Sequence, residues 1–401
     1  MEKVYIITAK RTAIGKMLGS LTSISPADMA TIVIKNILEE TKIDPSLIDE
    51  VIVGNILMAG QKQGIARQAA VNAGIPHHVP AYGVNMICGS GMKSIMNGYQ
   101  SILSGNASIV LAGGVENMSS AGFVMHGVRE GIKMGDFKAV DHMVCDGLTD
   151  AFGNYHMGIT AENIAEKYNI SRQQQDEFAF NSQQKAIRAV DTGVFKDEIV
   201  PVTITRRKDS FVFDTDEFPN RTSTLEKMAA LRPAFKKDGT VTAANASGIN
   251  DGASFVLIAS EKAVKDLNLK PMAEIVAVGQ AGVDPAYMGM GPVPAIGNVL
   301  KKAGMKLNQM DLLELNEAFA AQSLGVIDQL QQQHGVDRSW FEEHCNVNGG
   351  AIALGHPIGA SGNRITVTLV HEMKRRKSQY GLAALCIGGG MGTALILRNL
   401  Q

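Results

Sequence analysis

The chain has 401 residues, a formal net charge of −1, 45% hydrophobic and 19% charged residues, the make-up of a soluble globular protein with room for two or three domains. Balanced charge gives no global basic field, 5% aromatics with a single Trp argue against a base-stacking platform for nucleic acid, and no apolar run approaches the ~18 residues that span a bilayer. Four dispersed cysteines, Cys88, Cys145, Cys345 and Cys386, show no C-x-x-C spacing and follow no signal peptide, so they read as reduced thiols of a cytoplasmic-type compartment, not as disulfides or metal ligands.

From the N-terminus, Val4-Tyr5-Ile6-Ile7 reads as a first strand. Ser25-Pro26-Ala27-Asp28 announces a helix, with a serine N-cap, proline at the first helical position and an acid in the first turn. Strand and helix patterns alternate thereafter, which makes the chain α/β. In Asn85-Met86-Ile87-Cys88-Gly89-Ser90-Gly91 the thiol lies between a strand-like and a helix-like run. Free backbone N–H groups at a helix start favour a thiolate over a thiol of pKa about 8.5, and the flanking glycines let a ligand approach. Taken alone, Cys88 is either a nucleophile or an inert, small buried hydrophobe.

Residues 119–249 change texture to polar helices and irregular stretches and read as an inserted subdomain. Within it Ser171 and Gln174 form a capping box for a helix through Phe178 and Ile187. Arg221, Lys227, Arg232, Lys236 and Lys237 face one acid, Glu226; this is a solvated surface or a seat for a polyanion such as a nucleotide 3′-phosphate and pyrophosphate. The charged, glycine-rich residues 126–138 read as an exposed loop or an oligomer contact.

Three compact polar clusters follow apolar runs near the C-terminus: Asn316-Glu317-Ala318-Phe319-Ala320, Gly355-His356-Pro357-Ile358-Gly359-Ala360-Ser361-Gly362 and Cys386-Ile387-Gly388-Gly389-Gly390-Met391-Gly392. Two cysteines, a histidine and an asparagine amide suffice for thioester chemistry. The ends of the chain also repeat each other. Val51-Ile52-Val53-Gly54-Asn55 parallels Leu312-Leu313-Glu314-Leu315-Asn316, the stretch ending Cys88-Gly89-Ser90-Gly91 parallels that ending Gly355-His356, and Val110-Leu111-Ala112-Gly113-Gly114 parallels Leu385-Cys386-Ile387-Gly388-Gly389. Such short matches also arise by chance. If real, one α/β unit used twice about a pseudo-twofold axis brings Cys88 and His356 together.

With Asn85-x-x-Cys88-x-Ser90-Gly91, Asn316-Glu317-Ala318-Phe319, Gly355-His356-Pro357-x-Gly359 and Cys386-x-Gly388-Gly389-Gly390 in this order, the chain resembles the thiolase family nearly end to end, and its acetyl-CoA acetyltransferase (acetoacetyl-CoA thiolase) branch most. The resemblance implies a five-layered αβαβα core of two similar halves, residues 1–118 with 250–271 and residues 272–401, around an inserted coenzyme A-binding loop domain, 119–249. It implies a homotetramer acting on acetyl-CoA, acetoacetyl-CoA and CoA, with coenzyme A thioesters as substrates and no permanently bound cofactor. It further implies that Cys88 carries the acyl group, His356 takes its proton, and Cys386 moves the α-proton of the second substrate. Asn316, through a water, and His356 would form one oxyanion hole; the N–H groups of Cys88 and Gly388 would form the other.

The same likeness places His156, Met157, Met288 and Phe319 at the acyl end, where methionines leave room for acetyl and acetoacetyl groups. It places Leu148 and Ser247 beside the pantetheine arm, Phe235 near the adenine, and Arg221 and Lys227 toward the phosphates, with Arg221 one position displaced from the family pattern. Residues 331–341 read as a surface insertion. Reversible Claisen condensation of two acetyl-CoA through an acetyl-Cys88 intermediate is the expected reaction. Its alternatives are a broader-chain 3-ketoacyl-CoA thiolase, a decarboxylating ketoacyl synthase, which Cys386 argues against, and a non-catalytic acyl-CoA-binding protein. Arg11-Thr12-Ala13-Ile14-Gly15 lacks the glycine fingerprint of a nucleotide-binding oxidoreductase.

Overall fold

The computed structural model describes residues 2–131, 133–206 and 209–401. Its main strands are β1 (Val4–Thr12), β2 (Glu50–Gly54), β3 (Ala81–Val84), β4 (Ile109–Asn117), β5 (Asn250–Ser260), β6 (Ala273–Gly282), β7 (Leu312–Leu315), β8 (Tyr380–Ile387) and β9 (Met391–Asn399). They lie side by side in the order β3-β2-β4-β5-β1-β6-β9-β8-β7. The helices that matter for the site are α1 (Pro26–Thr41), α2 (Ser90–Leu103), α3 (Met157–Lys167), α4 (Arg172–Asp191), α5 (Pro292–Ala303), α6 (Ala320–His334) and α7 (Ser361–Arg376). Helix α1 starts where its sequence indicated, with the Ser25 hydroxyl accepting from Asp28 N, and α4 carries the Ser171/Gln174 capping box.

The sheet reads the same from both ends. Strand β2 is parallel to β4, which is antiparallel to β5, which is antiparallel to β1; β7, β8, β9 and β6 repeat those three relations. The halves meet where Tyr5 pairs with Glu274 and Ile6 with Ala273. Small irregularities repeat too: β1 bulges between Ile6 and Thr8, β6 between Ile275 and Ala277. Asp49 accepts from the N–H groups of Ser108 and Ile109, as Asp311 does from those of Gln379 and Tyr380.

Period-two alternation explains the layering. Val51, Val53, Leu111, Phe255 and Leu257 face an outer core with Met29, Val33 and Ile37 of α1. Ile52, Val110, Ala112, Val256 and Ile258 face inward, onto Met92 and Ile95 of α2 and Ile365 and Leu369 of α7. From the other half Ala383, Leu385, Leu395 and Leu397 face the same inner layer, while Leu382, Ala384, Ala394 and Ile396 face α5 and α6. The result is the expected αβαβα stack. Helices α2 and α7 cross closely at two glycines: a Cβ on Gly91 would lie 2.8 Å from Asn363 N, and one on Gly362 2.6 Å from Met92 N.

These side-chain directions correct the repeat read from sequence. Val51 and Leu313 are the outward-facing equivalents, not Val51 and Leu312, because a one-residue slip sends every side chain to the wrong face. The β4 segment starting at Val110 corresponds to β8 from Gly381, four residues before the match suggested. By the shared Ser-Gly start of α2 and α7, Cys88 corresponds to Gly359.

The chain between β4 and β5 is tied to this core by Arg11 of β1. Its buried guanidinium donates to Glu198 Oε1 at 2.6 Å and to both carboxylate oxygens of Asp216, at 2.7 and 2.9 Å. Arg11→Met should destabilise the protein by about 3–5 kcal/mol, because two buried carboxylates lose their partner. Urea unfolding measures it, and a loss below about 1 kcal/mol would contradict this account of the pin.

Candidate active site

Cys88 sits in the turn between β3 and α2. Ile87 just before it has φ of +45°, a conformation β-branched residues rarely adopt, so the turn is strained and must be held. The Ser90 hydroxyl holds it by donating to Ile87 O at 2.7 Å and accepting from Met86 N at 2.8 Å. Gly388, from the other half of the molecule, borders this turn: a Cβ on it would lie 3.4 Å from Ile87 Cγ2, and one on Gly89 2.3 Å from Ile387 Cδ1. Cys88 keeps some exposure, yet the protein packed around its sulfur pushes the thiol up to about 11; the N–H groups of Gly388 and Cys88 oppose this, and the Glu116 charge adds to it. The helix start therefore does not yield a resting thiolate, contrary to the sequence expectation: burial outweighs the N–H groups. A nucleophile in this state needs a base.

His356 has the properties of one. Gly355 ahead of it has φ of +105°, and a Cβ there would lie 2.4 Å from the Asn250 side chain. Asn250 accepts from His356 N at 2.9 Å and donates to Gly15 O at 3.0 Å, fixing the turn to the first half. The imidazole Nδ1 lies 2.5 Å from Ser361 Oγ, whose own hydrogen goes to Pro357 O at 2.9 Å. A hydroxyl has one hydrogen, so Nδ1 carries the proton and Nε2 keeps its lone pair. Nε2 is buried with no hydrogen-bond partner among the described residues. Burial, then the Arg364 charge, hold the imidazole down to about 3, so it is neutral at working pH. Ile358, two residues on, packs in the cluster that Cys88 and Leu148 adjoin.

Asn316 follows β7, and both atoms of its amide are buried without a hydrogen-bond partner among the described residues. Cys386 is the last residue but one of β8, opposite Gly392 across the Gly388-Gly389-Gly390 turn, where Gly389 and Gly390 have φ of +82° and +84°. Its buried thiol is held well above the ordinary range by burial and then by proximity to Cys88. It packs with Met157, Met288, Ala318 and Phe319.

The apolar wall continues with the His156 ring, stacked on Phe235 at 4.5 Å between centroids; Phe235 meets Phe319 edge-on at 6.3 Å. Phe235 thus fills the space between the His156 and Phe319 rings. Ser247 is half-buried and its N–H donates to Ala318 O at 2.9 Å. The fold gathers these groups but leaves Arg221 and Lys227 at the surface. Arg221 makes a bidentate pair with Asp191, at 2.6 and 3.0 Å, and Lys227 donates to Thr222 O.

Sequence reasoning missed Ser361 and Asn250, which orient His356, and Glu116 beneath the Cys88 turn. The signal for Ser361 was present: Ser361-Gly362 repeats Ser90-Gly91. A cavity of about 630 Å³ between α4, α6 and residues 338–346 is lined by Ser182, Lys185, Glu317, Glu342 and Cys345; its serine hydroxyl is used on Glu317 at 2.6 Å and burial pushes the Cys345 thiol up to about 12, so the Cys88 turn, with His356 Nε2 nearby and unpaired among the described residues, is the better candidate for the reaction centre.

Comparison with known proteins agrees with the fold. Residues 4–262 match the thiolase N-terminal domain and residues 269–399 the thiolase C-terminal domain. An acetyl-CoA acetyltransferase of Pseudomonas aeruginosa is 54% identical over 398 residues, covering 99% of both chains. One of Cupriavidus necator is 53% identical over 400 residues, covering 100% of both. Among solved structures, an acetyl-CoA acetyltransferase from Syntrophomonas wolfei superposes with a TM-score of 0.97 at 42% identity, covering 100% of both chains. Human mitochondrial 3-ketoacyl-CoA thiolase superposes at 0.94 with 45% identity, covering 100% of this chain and 99% of its own. The chain belongs to the thiolase family.

Proposed function

We propose that the protein is an acetyl-CoA acetyltransferase, joining two acetyl-CoA into acetoacetyl-CoA and CoA, reversibly, by ping-pong transfer through acetyl-Cys88. The observation that carries this reading is the packing of the Cys88 turn against the Cys386–Gly388 turn of the other half, where a Cβ on Gly89 would lie 2.3 Å from Ile387 Cδ1 and one on Gly388 3.4 Å from Ile87 Cγ2, with Ile358 of the His356 turn in the cluster that Cys88 adjoins and His356 Nε2 buried and unpaired among the described residues. In the first half-reaction His356 Nε2 takes the Cys88 proton, the sulfur attacks the acetyl carbonyl, and the departing CoA sulfur takes a proton from Cys386. In the second, the Cys386 thiolate removes an α-proton from a new acetyl-CoA. The resulting carbanion attacks acetyl-Cys88, and the released Cys88 sulfur recovers its proton from His356.

Each intermediate carries an oxyanion, so two donor sets are needed. The N–H groups of Cys88 and Gly388 serve the tetrahedral intermediate. Asn316, through a water, serves the enolate with His356; the unpaired amide of Asn316 supports this role. Burial that holds the Cys386 thiol above the ordinary range makes its thiolate a strong base toward the α-proton.

Met157, Met288, Phe319 and Phe235 close the acyl end, which supports two- and four-carbon acyl groups. A broader-chain 3-ketoacyl-CoA thiolase is the second reading, favoured by the likeness to the human mitochondrial enzyme. A chain-length series decides between them. Thiolysis of a ten-carbon 3-ketoacyl-CoA should run on the order of a hundredfold below acetoacetyl-CoA in kcat/KM; comparable values would select the broader enzyme.

The CoA tail would lie along Leu148, His156 and Ser247, with Lys227 and Arg221 reaching the phosphates once Arg221 leaves Asp191. The hairpin of residues 123–125 and 139–141 exposes Phe123, and the loop between its strands exposes Met134 and Phe137. An exposed apolar hairpin supports self-association, read here as a homotetramer. The reduced thiols support a cytoplasmic location, and among the described residues no helix is long and apolar enough to cross a membrane.

A further inference from the structure

The two halves build the same corner twice, and the second copy is filled from within. Gly359 precedes α7 as Cys88 precedes α2, so its N–H stands where the proposed oxyanion-binding N–H of Cys88 stands in the other copy. That N–H is not free. It donates at 3.0 Å to the carboxylate of Glu116, near the end of β4.

Glu116 is fully buried and takes three further bonds: Asn55 Nδ2 at 2.8 Å, Ile56 N at 3.1 Å and Leu57 N at 3.1 Å. Four donors converge on one carboxylate, three of them backbone groups. A Cβ on Gly359 would lie 2.6 Å from Glu116 Oε2, and one on Gly114 2.1 Å from Gly359 O, so the turn is seated with no slack. The turn runs from His356 to Ser361, and a Cβ on Gly91 in the first turn of α2 would lie 2.9 Å from Gly359 O. The carboxylate therefore fastens the turn carrying the base to the half carrying the nucleophile. Burial pushes the Glu116 carboxyl up to about 8 against the N–H groups of Leu57, Ile56 and Gly359; all four partners donate and none accepts a proton from it, so the carboxylate is the form that this geometry fits.

We propose that Glu116 is a positioning residue for the Cys88–His356 pair, its carboxylate filling the duplicate anion site at Gly359 and thereby setting the His356 turn against the Cys88 turn. This rests on the reaction proposed above. It adds that a pocket for a small carboxylate opens in this molecule when Glu116 is shortened, because all four donors belong to residues that remain.

The test uses Glu116→Ala and Glu116→Gln in the full chain, with formate as the probe. Displacing reacting groups by about an ångström costs on the order of a hundredfold in rate. Both variants should lose roughly that factor in kcat with KM changed less than about threefold. In Glu116→Ala, ~100 mM formate should restore kcat by about tenfold or more, with no such gain in the unsubstituted protein or in Glu116→Gln, whose amide still fills the site. Retention of kcat within about threefold in either folded variant would overturn the proposal, as would loss of kcat that formate does not restore in a folded Glu116→Ala. If Glu116→Ala does not fold, Glu116→Gln decides alone: a KM that rises in step with the fall in kcat overturns the positioning role. Acetylation of Cys88 in the unsubstituted protein separates this from the reaction itself; its absence sinks the reaction, whereas its presence with any overturning result sinks only the role of Glu116.

Discussion

Cys88→Ala should lower kcat for condensation and thiolysis by at least about 10⁴-fold, because the variant loses the covalent route and not merely one contact along it. No other thiol can replace it. Cys386 is buried near the end of β8 with its thiol held higher still, Cys345 lies in the outer core beside α6, and Cys145 is exposed in the inserted segment. Binding should survive: Leu148, Ser247 and His156 do not depend on the sulfur, so CoA affinity measured by calorimetry should stay within about threefold of the unsubstituted protein. Residual turnover above about a tenth, assayed by the loss of acetoacetyl-CoA, would place the nucleophile elsewhere.

Cys386→Ala should separate the two half-reactions. Acetyl transfer from acetyl-CoA to Cys88 needs the nucleophile, His356 and the N–H groups of Cys88 and Gly388, all of which remain, so the acyl-enzyme should still form. Its formation slows where the leaving CoA sulfur has lost its proton donor. Condensation needs a base at the α-carbon, and removing one costs about 10²–10⁴-fold. Rapid quench of the variant with acetyl-CoA should therefore show a stable acetyl-enzyme and almost no acetoacetyl-CoA. Normal condensation, or no acetyl-enzyme at all, would remove Cys386 from the role of base.

The parts of the site that sequence made legible are those whose chemistry is written in residue type. Cys88, His356, Asn316 and Cys386 each sit in a compact glycine-containing cluster after an apolar run, and such clusters mark strand-to-helix turns. The α/β class was legible in the alternation of strand and helix patterns, whereas the layered core followed from the family resemblance. What failed was register. Two short apolar runs align almost equally well one residue apart, and only the faces seen in the structure, Val51 outward with Leu313, choose between them.

The Cys88 pKa failed for a different reason. The helix start and its N–H groups can be read from local sequence, but the burial that outweighs them is made by residues distant in the chain, among them Leu57, Met143 and Ile358 of the cluster that Cys88 adjoins. The same holds for Ser361 and Asn250. A serine five residues after a histidine has no chemical signature until the turn folds back and uses its single hydrogen on Pro357. The packing of Phe235 between His156 and Phe319 has no local signature either, since the three residues lie far apart in the chain.

The most direct test of the central claim mixes the protein with acetyl-CoA alone, quenches in acid and maps the added acetyl mass by peptide. The mechanism predicts one acetyl group, on Cys88, absent in Cys88→Ala and discharged when CoA is added back. An acetyl group on another residue, or an unlabelled protein that still makes acetoacetyl-CoA, would contradict it.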